Sequence, residues 1–236
     1  MAMTGPPIDV RSQLAVALDV PSLAEAEQIV DEISEWFGVA KIGLELYSAA
    51  GPIAIERMRA RGLEVFCDLK LHDIPTTVGR AARVLGGHGV RYLNFHASGG
   101  EAMLRAGVEG LLEGAAANGH TAPVPLGVTV LTSDRDASAF DARLQAAIAS
   151  GCGGVVCSYL EVARVKTVRP DFVTMVPGVR MADGETHDQE RVGTPEEVAA
   201  AGADVLVVGR PVTTAANRAD AAARFHAAVA RAHAQG

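Results

Sequence analysis

Cysteine is scarce in this chain. Its 236 residues hold three, Cys67, Cys152 and Cys157, an odd number with neither C-x-x-C nor metal-ligand spacing. That argues against a disulfide framework, and all three read as small buried apolar residues in a reducing, cytoplasmic setting. Long apolar runs are missing too: none reaches about 18 residues, so no membrane span is expected. Basic residues are outnumbered, 21 Lys and Arg against 28 Asp and Glu, for a net charge of −7. No basic footprint for a nucleic-acid polymer is present. A small anionic substrate stays compatible with that balance, because a few local cations can hold it. The opening residues carry no basic, apolar leader, so no signal peptide is expected. Residues 1–12 read as a short surface arm, with a single domain over 13–236.

Core-forming material is plentiful. Hydrophobic residues make up 49% of the chain, and the length suits one α/β barrel or one large sandwich better than two domains. Apolar, β-branched runs at 14–18, 39–43, 63–70, 92–96, 125–131, 154–157, 172–176 and 204–208 predict strands. Helical patterns fall at 23–36, 52–61, 78–85, 101–117, 139–149, 160–168, from 195 onward, and 213–234. Ser22 with Glu25 predicts a capping box, Gly62 a C-cap, Gly86-Gly87 a stop, and Thr194-Pro195 a helix start. The strands are near-continuous apolar runs, as in a parallel sheet covered on both faces. Eight such units predict a single (β/α)8 barrel. A doubly wound sheet is the rival, but no G-x-G-x-x-G follows the first strand.

One stretch is out of keeping with such a core, residues 66–77. Asp68, Lys70 and Asp73 place three charges in six positions directly behind an apolar run. Side chains alternate on a strand, so Asp68 and Lys70 share a face while Cys67 faces the outer helices. Pro75 bars a simple helical continuation through Asp73 and Ile74, which therefore belong to a loop. Buried charges are costly unless paired, so a strand end gathering a carboxylate and an ammonium reads as a working site. The plainer reading of a bare D-x-K-x-x-D is a solvated loop with a salt bridge.

Other polar residues converge on the same barrel mouth. Asp19, His96, Thr132, Arg180 and Arg210 fall at C-terminal strand ends, and Lys41 lies within the second strand facing them. Gly209 permits close backbone approach and Arg210 offers a fork of donors, so this turn is a phosphate-site candidate. The alternative is an ordinary tight turn with a surface arginine. The polar stretch 180–191 is long for a barrel loop and reads as a lid or an insertion. His72 and His96 read as structural or supporting hydrogen-bonding groups. His88, His120, His226 and His233 read as surface residues.

The spelling D-x-K-x-x-D-I-P-x-T resembles the signature of the orotidine 5′-phosphate decarboxylases. Leu18-Asp19, Lys41-Ile42-Gly43, Val130-Leu131-Thr132, Pro177-Gly178-Val179-Arg180, Asp188-Gln189 and Val208-Gly209-Arg210 stand in that family's order along the chain. The resemblance implies conversion of orotidine 5′-phosphate (OMP) to UMP and CO₂ in pyrimidine biosynthesis, without metal or organic cofactor. It implies Lys70 as proton donor to C6 and Asp68 against the substrate carboxylate. Lys41 and Asp73 would complete an alternating charge array around Lys70. Asp19 and Lys41 would hold the ribose hydroxyls and Thr132 the pyrimidine edge. Arg180, Gln189, Gly209 and Arg210 would hold the phosphate or the closed lid. Asp73, Ile74 and Thr77 would come from a neighbouring subunit, making the enzyme a homodimer with shared sites. Mg²⁺-dependent sugar-phosphate lyases of the same superfamily share D-x-K-x-x-D but lack the I-P-x-T continuation. A non-catalytic nucleotide-binding barrel would have no use for the whole array.

Overall fold

The computed structural model describes residues 9–131, 136–182 and 193–235. Its strands are β1 (Leu14–Ala17), β2 (Val39–Ile42), β3 (Glu64–Leu71), β4 (Tyr92–His96), β5 (Val124–Val128), β6 (Gly154–Val156), β7 (Val173–Pro177) and β8 (Val205–Val208). All pair in parallel with their chain neighbours, and β8 closes on β1. The helices between them are α1 (Leu23–Ile33), α2 (Leu44–Ala50), α3 (Ile53–Ala60), α4 (Pro75–Gly87), α5 (Gly100–Ala117), α6 (Phe140–Ala149), α7 (Tyr159–Val168) and α8 (Pro195–Ala200). After the last strand come α9 (Arg210–Thr213) and α10 (Arg218–Gln235). This is the (β/α)8 barrel that the alternation of strands and helices predicts.

Both faces of every strand are covered, which is why the strands read as unbroken apolar runs. Ala15, Val39, Phe66, Leu126, Met175 and Val205 fill the lumen. Their chain neighbours Leu14, Ala40, Val65 and Cys67 pack outward against the helices. Cys67 thus faces the helical layer, as alternation requires, and burial with the nearby Asp68 charge pushes its thiol up to about 12. All three cysteines are buried and none is in a disulfide.

Several local expectations change once packing is in place. Only half of the first capping box forms: Ser22 Oγ accepts from the Glu25 N–H at 3.3 Å. Helix α1 stops at Ile33, short of Trp36, because the chain turns there to bury Phe37 completely. Helix α2 was not expected and begins at Gly43 as its N-cap. Helix α4 starts at Pro75, three residues earlier than predicted, with proline at the first helical position. It ends at Gly87, at the glycine pair expected to stop it. Strand β5 ends at Val128; the next residue, Thr129, bonds the Val156 carbonyl both through its backbone N–H at 3.2 Å and through Oγ1 at 3.0 Å. The long helix expected over 213–234 is broken by residues 214–217, and Asn217 Oδ1 accepts the Asp220 N–H at 3.0 Å. By contrast, α8 carries the full capping box of Thr194 and Glu197.

The chain from Asp9 to Gln13 is folded onto the barrel. Val10–Gln13 forms a 3-10 turn, Val10 is buried, and Arg11 Nε donates to the Ser34 carbonyl at 2.8 Å. Gln13 Oε1 lies 2.6 Å from His233 Nε2, so that histidine is tied to the barrel's first segment.

Candidate active site

Strand β3 leaves its regular ladder just where the charges begin. Cys67 pairs with Leu93 and Leu71 with Phe95, so residues 68–70 stand opposite the single β4 residue Asn94. Among the described residues Lys70 is the one non-glycine with positive φ, at 48°. The Asp68 and Lys70 side chains meet at this bulge, with Lys70 Nζ 2.6 Å from Asp68 Oδ1. They do share a region, as alternation predicted, although the backbone between them is not a regular strand.

Four charges then follow one another with alternating sign. Lys41 Nζ lies 2.9 Å from Asp19 Oδ1 and 3.4 Å from Asp68 Oδ2, and Asp68 leads on to Lys70. The centre of the row is the most enclosed, with side-chain exposure of 8% for Lys41 and 14% for Asp68. Burial pushes the Asp68 carboxyl up. Lys41 and Lys70, with hydrogen bonds from Lys70 and Asn94, outweigh it and hold the group below its ordinary value of 3.8. Gly43 keeps this row open: a Cβ there would intrude on the Asp19 carboxylate and come within 3.1 Å of Lys41 Nζ.

The row borders a cavity of about 410 Å³ at the C-terminal mouth of the barrel, a size suited to a small ligand. Arg180, Gly209 and Arg210 line the same cavity, which Val128, Val156 and Met175 make partly apolar. Arg180 is 6% exposed, and its backbone N–H bonds the Gly193 carbonyl at 3.0 Å. Gly178, before it, has φ 83°, a backbone that favours glycine. The phosphate-site candidates are therefore gathered with the charge row.

Other expected residues are placed elsewhere. Asp73 is exposed, and its Oδ1 accepts the N–H of its own neighbour Ile74 at 2.6 Å. Ile74 is 66% exposed and Thr77 is exposed as well. None of the three lines the cavity of its own chain. Thr132, Gln189 and most of the stretch 180–191 lie outside the described residues. His72 and His96 rings sit 5.5 Å apart, and His96 Nδ1 lies 2.8 Å from Ser98 Oγ. Burial first, then His72, Arg143 and Lys70, hold His96 below its ordinary 6.5. Neither histidine lines the cavity. Among the described residues, no three His, Cys, Asp or Glu side chains converge as a metal site.

One residue went unrecognised in the sequence. Asn94 is fully buried on β4 and donates from Nδ2 to Asp68 Oδ1 at 2.7 Å. Its signal was a polar residue at an inward position, two after Tyr92 and between the apolar Leu93 and Phe95.

The model of the orotidine 5′-phosphate decarboxylase / HUMPS family matches residues 12–225. The chain belongs to this family. It is 44% identical over 219 residues to the orotidine 5′-phosphate decarboxylase of Moorella thermoacetica, covering 87% of each chain. It is 43% identical over 218 residues to that of Lactiplantibacillus plantarum, covering 86% of this chain and 92% of the relative. The crystal structure of the Lactobacillus acidophilus decarboxylase superposes with a TM-score of 0.79 at 31% identity, covering 92% of this chain and 99% of that one.

Proposed function

We propose that this chain decarboxylates orotidine 5′-phosphate to UMP and CO₂. The observation that carries the reading is the row Asp19, Lys41, Asp68, Lys70, closed within 3.4 Å at each step and bordering the cavity. The relatives' common name supports the decarboxylase branch of the family over its sugar-phosphate branch.

Loss of CO₂ from C6 leaves an electron pair in the ring plane, where the π-system cannot delocalise it. An ammonium fixed beside that carbon offsets the developing charge and then delivers the proton, which is the role of Lys70. Asp68 sets a fixed negative charge beside the departing carboxylate and, with Lys41, aims Lys70. Asp19 and Lys41 hold the ribose hydroxyls, and Thr132 the pyrimidine edge. Arg180, Gln189, Gly209 and Arg210 take the phosphate and the closing segment, so that binding far from C6 assists the chemical step. The residues supply this chemistry without a metal or organic cofactor.

The active form is a homodimer. Asp73, Ile74 and Thr77 are exposed on the outside of their own cavity, which suits residues that complete a neighbour's site. The setting is cytoplasmic: buried cysteines outside any disulfide suit a reducing compartment, and no helix among the described residues is long and apolar enough to cross a membrane.

The test is loss of OMP absorbance in EDTA, with the native chain beside Lys70→Ala. Turnover that survives EDTA and falls by roughly 1,000-fold or more in the variant is expected. A folded native chain that leaves OMP untouched sinks the reading, and turnover abolished by EDTA moves it to a metal-dependent lyase.

A further inference from the structure

Between Leu93 and Phe95, β4 offers one residue to the three that bulge from β3. That residue is Asn94, with no exposed surface. Its Oδ1 accepts the Lys70 backbone N–H at 2.7 Å, and its Nδ2 donates to Asp68 Oδ1 at the same distance. The direction of the amide follows from its partners: an N–H needs an acceptor and a carboxylate needs a donor, so only one orientation serves both. The bulge has removed Lys70 from the ladder, and a buried N–H without a partner is costly. Lys70 is also left-handed at φ 48°, a conformation usually left to glycine, and one that persists only when the surroundings hold it. Glycine cannot serve at a position that must present an ammonium.

We infer that Asn94 is the positioning residue of this site: one side chain replaces the lost ladder bond of Lys70 and fixes the rotamer of Asp68. It acts on both members of the closest ion pair in the row without bordering the cavity itself. Removing it frees the backbone at Lys70 and the carboxylate at Asp68 together, so the ammonium loses its aim while the groups gripping the rest of a ligand stay put. The inference rests on the decarboxylase reading for its kinetic readout, and on the geometry of β3 and β4 for its structural one.

The experiment compares the native chain with Asn94→Ala and Asn94→Asp in two ways, OMP kinetics between about pH 5 and 9 and a crystal structure of each variant. Asn94→Ala is expected to lose roughly 100-fold in kcat, with KM within about threefold, because small misplacement of a reacting group costs rate more than binding. Its crystal structure is expected to show Lys70 out of the left-handed region and apart from Asp68. Asn94→Asp keeps the shape but sets a second carboxylate against Asp68, so the two share a proton with a raised pKa. Its activity is expected to be low at neutral pH and to recover towards acid. There the neutral carboxyl accepts from the Lys70 N–H and donates to Asp68, as the amide does. Native kcat in both variants overturns the inference. So does an Asn94→Asp pH profile parallel to the native one, or an unmoved Lys70 in crystals of Asn94→Ala. If Asn94→Ala does not fold, the isosteric Asn94→Asp profile decides. If the native chain does not turn over OMP, the decarboxylase reading fails and the crystal comparison alone decides the positioning role.

Discussion

Asp68 stands between two ammonium groups, 2.6 Å from Lys70 Nζ and 3.4 Å from Lys41 Nζ. Its carboxyl is held below 3.8 in the folded chain, so it binds its proton less readily there than when unfolded. Its stabilising contribution is therefore complete above the ordinary carboxylate range and disappears as pH falls through the lowered folded value. Asp68→Asn should cost about 2 kcal/mol at neutral pH, because it leaves the enclosed Lys41 ammonium and the partly exposed Lys70 ammonium with one carboxylate fewer. The gap in melting temperature between variant and native chain should hold from pH 7 to about 5 and then narrow towards about pH 2. An unchanged gap across that window would contradict the assignment. Asp68 and Lys70 were legible as individual residues because their spacing on one strand end is local. Asn94 was not, because its function depends on which β3 residues a distant strand happens to face.

Helices α4 and α5 pack through glycine. A Cβ on Gly114 would meet the Arg83 backbone carbonyl, one on Gly110 the Gly79 carbonyl, and one on Gly86 the Leu111 carbonyl. Gly86 and Gly87 read as a helix stop, and α4 does end at Gly87, while Gly86 also serves as a flat contact surface. Asp73 and Ile74 lead directly into the first turn of α4, so the position of this helix bears on the proposed sharing of sites. Gly114→Ala should destabilise the fold by about 1–3 kcal/mol through overpacking against backbone. The gain of up to about 1 kcal/mol in helix propensity does not offset this. Denaturant unfolding measures it; a variant as stable as the native chain would mean that the helices can part without cost. The missed break at 214–217 has a similar origin. An alanine-rich stretch favours helix by propensity, and Arg218 Nε binding the Thr213 carbonyl at 2.9 Å reflects a turn that propensity does not describe.

For the whole molecule, the proposed sharing of sites across a dimer carries a quantitative consequence. Asp73→Ala and Lys70→Ala should each be nearly inactive alone. After subunit exchange, half the dimers are mixed, and each holds one site with both native residues. Activity should then recover to about a quarter of the native value. No recovery between two exchanging, folded variants would place Asp73 in its own chain's site. The sequence alone determined the barrel, because eight apolar runs alternating with helical stretches have one economical closure. It also brought Asp19, Lys41, Asp68 and Lys70 to the barrel mouth, because each sits at a strand position that can be counted; the array implied by the family resemblance held Asp73, whereas the row within this chain ends on Asp19. Tertiary structure alone decided the bulge at 68–70, the left-handed backbone of Lys70 and the hydrogen bonds of Asn94. It also set Asp73 outside the cavity of its own chain. The physical reason is register: local spacing says which way a side chain points, whereas the partner it meets is set by strands and helices far away in the chain.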